Sequence, residues 1–70
     1  MWTKGKINGF DYTIKHFAEG SVFGIDEGKI SKLWIGKNGK TYANYDRGWD
    51  VLPTDPEAIK VYNELLKKYN

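Results

Sequence analysis

Thr3-Lys4-Gly5-Lys6-Ile7-Asn8-Gly9-Phe10-Asp11-Tyr12-Thr13-Ile14 is the stretch that decides the fold. Its centre, Asn8-Gly9, suits a two-residue hairpin turn, because both central residues of that turn need positive φ and Asn and Gly tolerate it best. With Asn8 and Gly9 in the turn, Ile7 stands opposite Phe10, Gly5 opposite Tyr12 and Thr3 opposite Ile14. Side chains alternate between faces, so Ile7, Phe10, Tyr12 and Ile14 share one face, the expected core side. The other face sets Lys6 against Asp11, Lys4 against Thr13 and Trp2 against Lys15. It is basic, with one tryptophan.

Working outward, residues 18–28 form a glycine-punctuated connection. Val22, Phe23 and Ile25 are apolar, so the connection is expected to fold back onto the core. A third strand is expected near Lys29–Gly36. Its Ile30, Leu33, Trp34 and Ile35 do not alternate cleanly, as in a central strand covered on both faces. A fourth strand near Lys40–Tyr45 follows the turn Lys37-Asn38-Gly39. A two-residue loop there would oppose Lys37 and Lys40, so a three-residue loop with left-handed Gly39 is preferred, pairing Trp34 with Tyr42. Gly48 is expected to interrupt or bend the strand before Trp49 and Val51. Asp55-Pro56 then gives an N-cap followed by proline at the first helical position, where no donor is lost. Ala58, Ile59, Tyr62, Leu65, Leu66 and Tyr69 recur at helical spacing, and Lys67 and Lys68 suit the C-terminal end of the macrodipole. The expected fold class is α+β: an antiparallel four-stranded β-meander with one C-terminal amphipathic helix packed on the sheet.

Composition narrows the function. Seventy residues correspond to one small domain (1–70), in which burial and ordering nearly cancel. There is no cysteine and only one histidine, His16, so neither disulfides nor a zinc site is expected. Eleven aromatic residues must supply the core, and self-association as a homodimer is the other usual remedy. Net charge is +2, too balanced for strong non-specific nucleic-acid binding. The balance is uneven, however: residues 1–40 carry seven lysines against four acids, and residues 41–70 four basic residues against five acids. A basic face is therefore expected in the first half. No apolar run approaches the roughly 20 residues that span a bilayer, and no signal-peptide pattern opens the chain. A soluble, cytoplasmic protein is expected, with no membrane partner.

No catalytic constellation emerges. Ser21 or Ser31 with His16 matches no nucleophile motif. Asp26-Glu27 and the Asp46/Asp50 pair read as turn and edge chemistry, and His16 as a half-exposed strand end. The expectation is a non-enzyme without cofactor or metal. Two stretches remain as binding candidates. Tyr42-Ala-Asn-Tyr-Asp-Arg-Gly-Trp-Asp50 concentrates aromatics around the only arginine among eleven basic residues. In one reading Tyr45 and Trp49 fill the core while Arg47 pairs with Asp46 or Asp50. In the other Arg47 grips an anion, nucleotide-like or otherwise, while one or two of Tyr42, Tyr45 and Trp49 stack on a ligand ring. The second candidate is the Trp2, Lys4, Lys6 and Lys15 face, which suits a phosphate backbone with a stacked base. Its alternative is a solvated face with lysines for solubility.

The strings Gly5-Lys6-Ile7-Asn8-Gly9-Phe10, Ile30-Ser31-Lys32-Leu33-Trp34-Ile35, Ala43-Asn44-Tyr45-Asp46-Arg47-Gly48-Trp49-Asp50 and Pro53-Thr54-Asp55-Pro56-Glu57-Ala58 together resemble a family of short uncharacterised proteins of bacteria and their phages. The resemblance spans nearly the whole chain and is most specific at 43–50. The family has no assigned activity, so it lends no functional residues. It implies a small accessory protein that acts by binding, for example by sequestering a small anionic ligand such as a nucleotide signal or by inhibiting a host protein.

Overall fold

In the computed structural model, which describes residues 1–70, the first hairpin forms in the register its turn dictates. Strands β1 (Trp2–Ile7) and β2 (Phe10–His16) pair antiparallel with Ile7 opposite Phe10, Gly5 opposite Tyr12 and Thr3 opposite Ile14. Asn8 and Gly9 both have positive φ, 51° and 83°. Three more strands extend the meander: β3 (Ile30–Lys37), β4 (Lys40–Asp46) and β5 (Trp49–Val51). The sheet order is β1-β2-β3-β4-β5, antiparallel throughout. One helix, α1 (Pro56–Tyr69), closes the chain and packs over β2 and β3.

The α+β class and the C-terminal helix agree with the sequence; the strand count is five, not four. Gly48 does not merely bend the fourth strand. Asp46, Arg47 and Gly48 reverse the chain, the Asp46 amide donates to the Gly48 carbonyl at 2.9 Å, and Trp49 returns opposite Tyr45. The second turn also departs from expectation. Asn38 (φ 52°) and Gly39 (φ 78°) make a two-residue turn that does set Lys37 opposite Lys40. The repulsion is offset because each ammonium group lies over an aromatic ring, Lys37 over Phe10 and Lys40 over Tyr42, each at 4.9 Å. A β-bulge then makes Tyr42 the unpaired residue between the Ile35–Ala43 and Gly36–Thr41 pairs, so Trp34 faces Asn44 rather than Tyr42.

The core lies between helix and sheet. Phe10, Tyr12 and Ile14 of β2, Leu33 and Ile35 of β3, and Ala43 and Tyr45 of β4 meet Ala58, Val61 and Leu65 of α1. Val61 belongs to this set although the helical reading passed over it. Asp55 caps α1, its carboxylate accepting from the Glu57 and Ala58 amides at 3.1 Å. The 18–28 connection returns only in part: Ile25 is buried, whereas Val22 and Phe23 stay exposed. Its far end is pinned by Asn70, whose side chain donates to the Ile25 carbonyl and accepts from the Ile30 amide. A methyl group at Gly28 would lie 2.3 Å from that amide side chain, so a larger residue there would displace Asn70 from both bonds. No helix is long and apolar enough to cross a membrane.

Candidate functional site

The aromatic run 42–50 divides between core and surface. Tyr45 is 7% exposed, and its hydroxyl donates to the Phe23 carbonyl at 2.8 Å. Trp49 packs edge-on between Tyr45 (5.0 Å) and Tyr62 (5.5 Å) beneath the helix. Burial raises the Tyr62 hydroxyl pKa above its ordinary range, with smaller contributions from the charge of Asp26 and from Tyr45. Tyr42 meets Phe10 edge-on at 5.1 Å. These three rings are therefore packed against the core and do not converge on an open cleft with Arg47. Arg47 alone of the set Tyr42, Tyr45, Arg47 and Trp49 is exposed. The expected pairing of Arg47 with Asp46 or Asp50 is absent: the ion pairs join Lys6 to Asp11, Lys32 to Asp46 and Lys60 to Glu57.

The helix covers one face of the sheet, which corrects the expectation of a third strand covered on both. Directly opposed residues share a face, so the register assigns the uncovered side without ambiguity. One row reads Trp2, Lys15, Lys32, Asp46; the next reads Lys4, Thr13, Trp34, Asn44, Val51; the third reads Lys6, Asp11, Gly36, Thr41. All four residues of the basic face predicted from the first hairpin, Trp2, Lys4, Lys6 and Lys15, lie here, joined by Lys32 and Trp34. Four lysines thus face two aspartates across the paired positions.

Trp34 is the residue that the sequence reading missed. Its indole covers Gly36, so that a methyl group at Gly36 would come within 2.2 Å of the ring. Its Nε1–H donates to Thr41 Oγ1 at 3.1 Å. A shallow hollow of about 140 Å³ separates it from Trp2 and is floored by Thr13, Lys32 and Asn44. Two strand spacings and two residues separate the tryptophans, roughly 12 Å between Cα atoms. Trp2 is 58% exposed, and Lys15 Nζ stands 5.7 Å from its ring.

The whole chain, residues 1–70, matches the model of one protein family. The chain belongs to DUF7678, a domain of unknown function. No curated protein and no solved structure matches it. The DUF7678 match therefore agrees with the resemblance to an uncharacterised family and supplies no residue roles.

A second hollow of about 290 Å³ opens at the end of the uncovered face, lined by Lys15, Phe17, Ser21, Phe23, Ser31, Lys32 and Arg47. Arg47 reaches it from a left-handed backbone position (φ 57°), although Gly48 is next in sequence and has negative φ. That placement costs a side-chain-bearing residue about 1 kcal/mol. It is held by the Arg47 amide, which donates to the Ser31 carbonyl at 3.1 Å. Ser31 is the extra residue of a bulge in β3, opposite the Lys15–His16 step. His16 itself is half-buried at the end of β2, its Nε2 2.9 Å from Thr3 Oγ1 and its ring against Tyr69. It faces neither hollow.

Proposed function

We propose that this chain is a non-catalytic binding module that takes single-stranded nucleic acid on the uncovered face of its sheet. The observation that carries the reading is the presence of two tryptophans, Trp2 and Trp34, on one uncovered face among Lys4, Lys6, Lys15 and Lys32. An aromatic platform stacks any base through its π-face, and lysines around it follow the backbone phosphates. Solubility alone would account for the lysines but not for two large indoles left on the face opposite the helix. The packing of Tyr42, Tyr45 and Trp49 against the core favours this face over a small-ligand site built from that run. The resemblance of the sequence strings to short bacterial and phage proteins supports a setting in such a genome, with the protein acting in the cytoplasm as an accessory factor.

The test is a tryptophan-quenching titration with oligothymidylate across a salt series. Neutralising about four phosphates gives a slope of log K against log salt of about −3 for a single strand. Binding that tightens as salt falls, with amide shifts in β1, β2 and β3, is expected. A flat salt response, or shifts confined to the helix side, would sink the proposal.

A further inference from the structure

The Lys15, Lys32 and Arg47 hollow has a chemistry distinct from that of the tryptophan platform beside it. Three cationic side chains from three different elements line one depression. No carboxylate lines it; Asp46 pairs with Lys32 at 3.6 Å, and neither Lys15 nor Arg47 takes part in an ion pair. Lys15 Nζ sits between two rings, 5.7 Å from Trp2 and 5.5 Å from Phe17, and so links the hollow to the platform. Lys32 lines both hollows. On the far side Phe17, just after β2, and Ser21 and Phe23 of the 18–28 connection stand as a wall, fixed to the sheet where the Tyr45 hydroxyl bonds the Phe23 carbonyl. Arginine supplies a planar fork of donors that matches phosphate oxygens, which lysine does not. The single arginine of the chain occupies the position where that fork is aimed from a strained turn pinned to the β3 bulge.

We propose that this hollow is a phosphate-monoester subsite that receives a phosphorylated end of the strand whose bases lie on Trp2 and Trp34. The proposal rests on the single-strand reading above and adds end recognition to it. A track for continuous phosphodiester would run open at both ends; here the connection closes it. A terminal monoester also carries more negative charge than an internal diester, and three cations suit it.

The test compares three thymidine hexamers: 5′-phosphorylated, 3′-phosphorylated, and with hydroxyls at both ends. The proteins are the wild type and Arg47→Asn, whose asparagine tolerates the left-handed backbone and keeps the turn. One phosphorylated hexamer is expected to bind the wild type about tenfold more tightly than the hydroxyl hexamer, the scale of one added charge-assisted pair. Arg47→Asn should erase that gain and leave the hydroxyl hexamer unchanged. Equal binding of all three hexamers, or a gain that survives in Arg47→Asn, overturns the subsite. Thymidine 5′-monophosphate binding as tightly as the phosphorylated hexamer also overturns it, because the strand would then add nothing. If no hexamer binds, the single-strand reading has failed, and inorganic pyrophosphate tests the hollow by itself. Amide shifts at Lys15, Ser31, Arg47 and Gly48 would then retain the anion site, and their absence would dismiss it.

Discussion

Tyr45→Phe separates a core role for the aromatic run from a ligand-contact role. The substitution removes one oxygen and keeps the ring, so the edge-on contact with Trp49 at 5.0 Å survives and no side-chain-sized cavity opens. What is lost is the 2.8 Å bond from the hydroxyl to the Phe23 carbonyl, which ties β4 to the connection 22 residues away. A neutral hydrogen bond contributes about 0.5–1.5 kcal/mol net. Phe23 is 55% exposed, so water can reach the freed carbonyl and the cost falls toward the lower half, about 0.5–1 kcal/mol. For a domain of this size that lowers Tm by about 3–6 °C. Thermal unfolding followed by circular dichroism reads the shift, and amide spectra should show the change spreading into Ser21–Gly24. Affinity for the hydroxyl hexamer should stay within twofold of wild type. An unchanged Tm together with a marked loss of affinity would refute the reasoning and make Tyr45 a ligand contact.

Gly36→Ala should push the Trp34 indole off the sheet, since the new methyl would lie 2.2 Å from the ring; a loss of about 1–2 kcal/mol and a red-shifted tryptophan emission are expected, read by urea unfolding with fluorescence. Asp55→Ala removes the acceptor for the Glu57 and Ala58 amides and should cost about 1 kcal/mol in the same assay. Stability should also fall at alkaline pH. Burial raises the Tyr12 hydroxyl, assisted by Tyr69, and burial also raises Tyr62, both from an ordinary value of 10.0. A folded-state pKa above the unfolded one means that the contribution is complete below pH 10 and is lost as pH climbs through the folded values. Tm measured from pH 8 to 12 should therefore hold flat to about pH 10 and then drop, with phenolate absorbance showing at least two tyrosines titrating late.

Much of the fold was legible because local chemistry had one solution. Asn8-Gly9 fixed a complete register, and Asp55-Pro56 fixed the start of α1. The Asn38-Gly39 turn was misread because the Lys37–Lys40 opposition was weighed without the aromatic faces beneath the two ammonium groups, Tyr42 two residues along the same strand and Phe10 from the first hairpin. The fifth strand was illegible for a related reason. Its turn carries positive φ on Arg47, where glycine or asparagine is the usual signal, and the backbone bond from the Arg47 amide to the Ser31 carbonyl that holds this turn comes from a distant strand. Of the candidate site, Trp2, Lys4, Lys6 and Lys15 followed from the hairpin register alone. Trp34 was obscured by two bulges, one making Ser31 an extra residue in β3 and one making Tyr42 an extra residue in β4. Between them, buried Leu33 and Ile35 alternate with Trp34, and that short period places the indole on the open face.

The most direct measurement is the affinity of Trp34→Ala for oligothymidylate at low salt, with Trp49→Ala as its counterpart. Trp34 lies on the open face, so its loss should weaken binding by about 1–3 kcal/mol, roughly 5- to 150-fold, while keeping a single cooperative unfolding transition lowered by about 1–2 kcal/mol, for the lost contact with Gly36 and the bond to Thr41. Trp49 packs under the helix, so its loss should lower stability far more. Trp34→Ala binding as tightly as wild type would contradict the account.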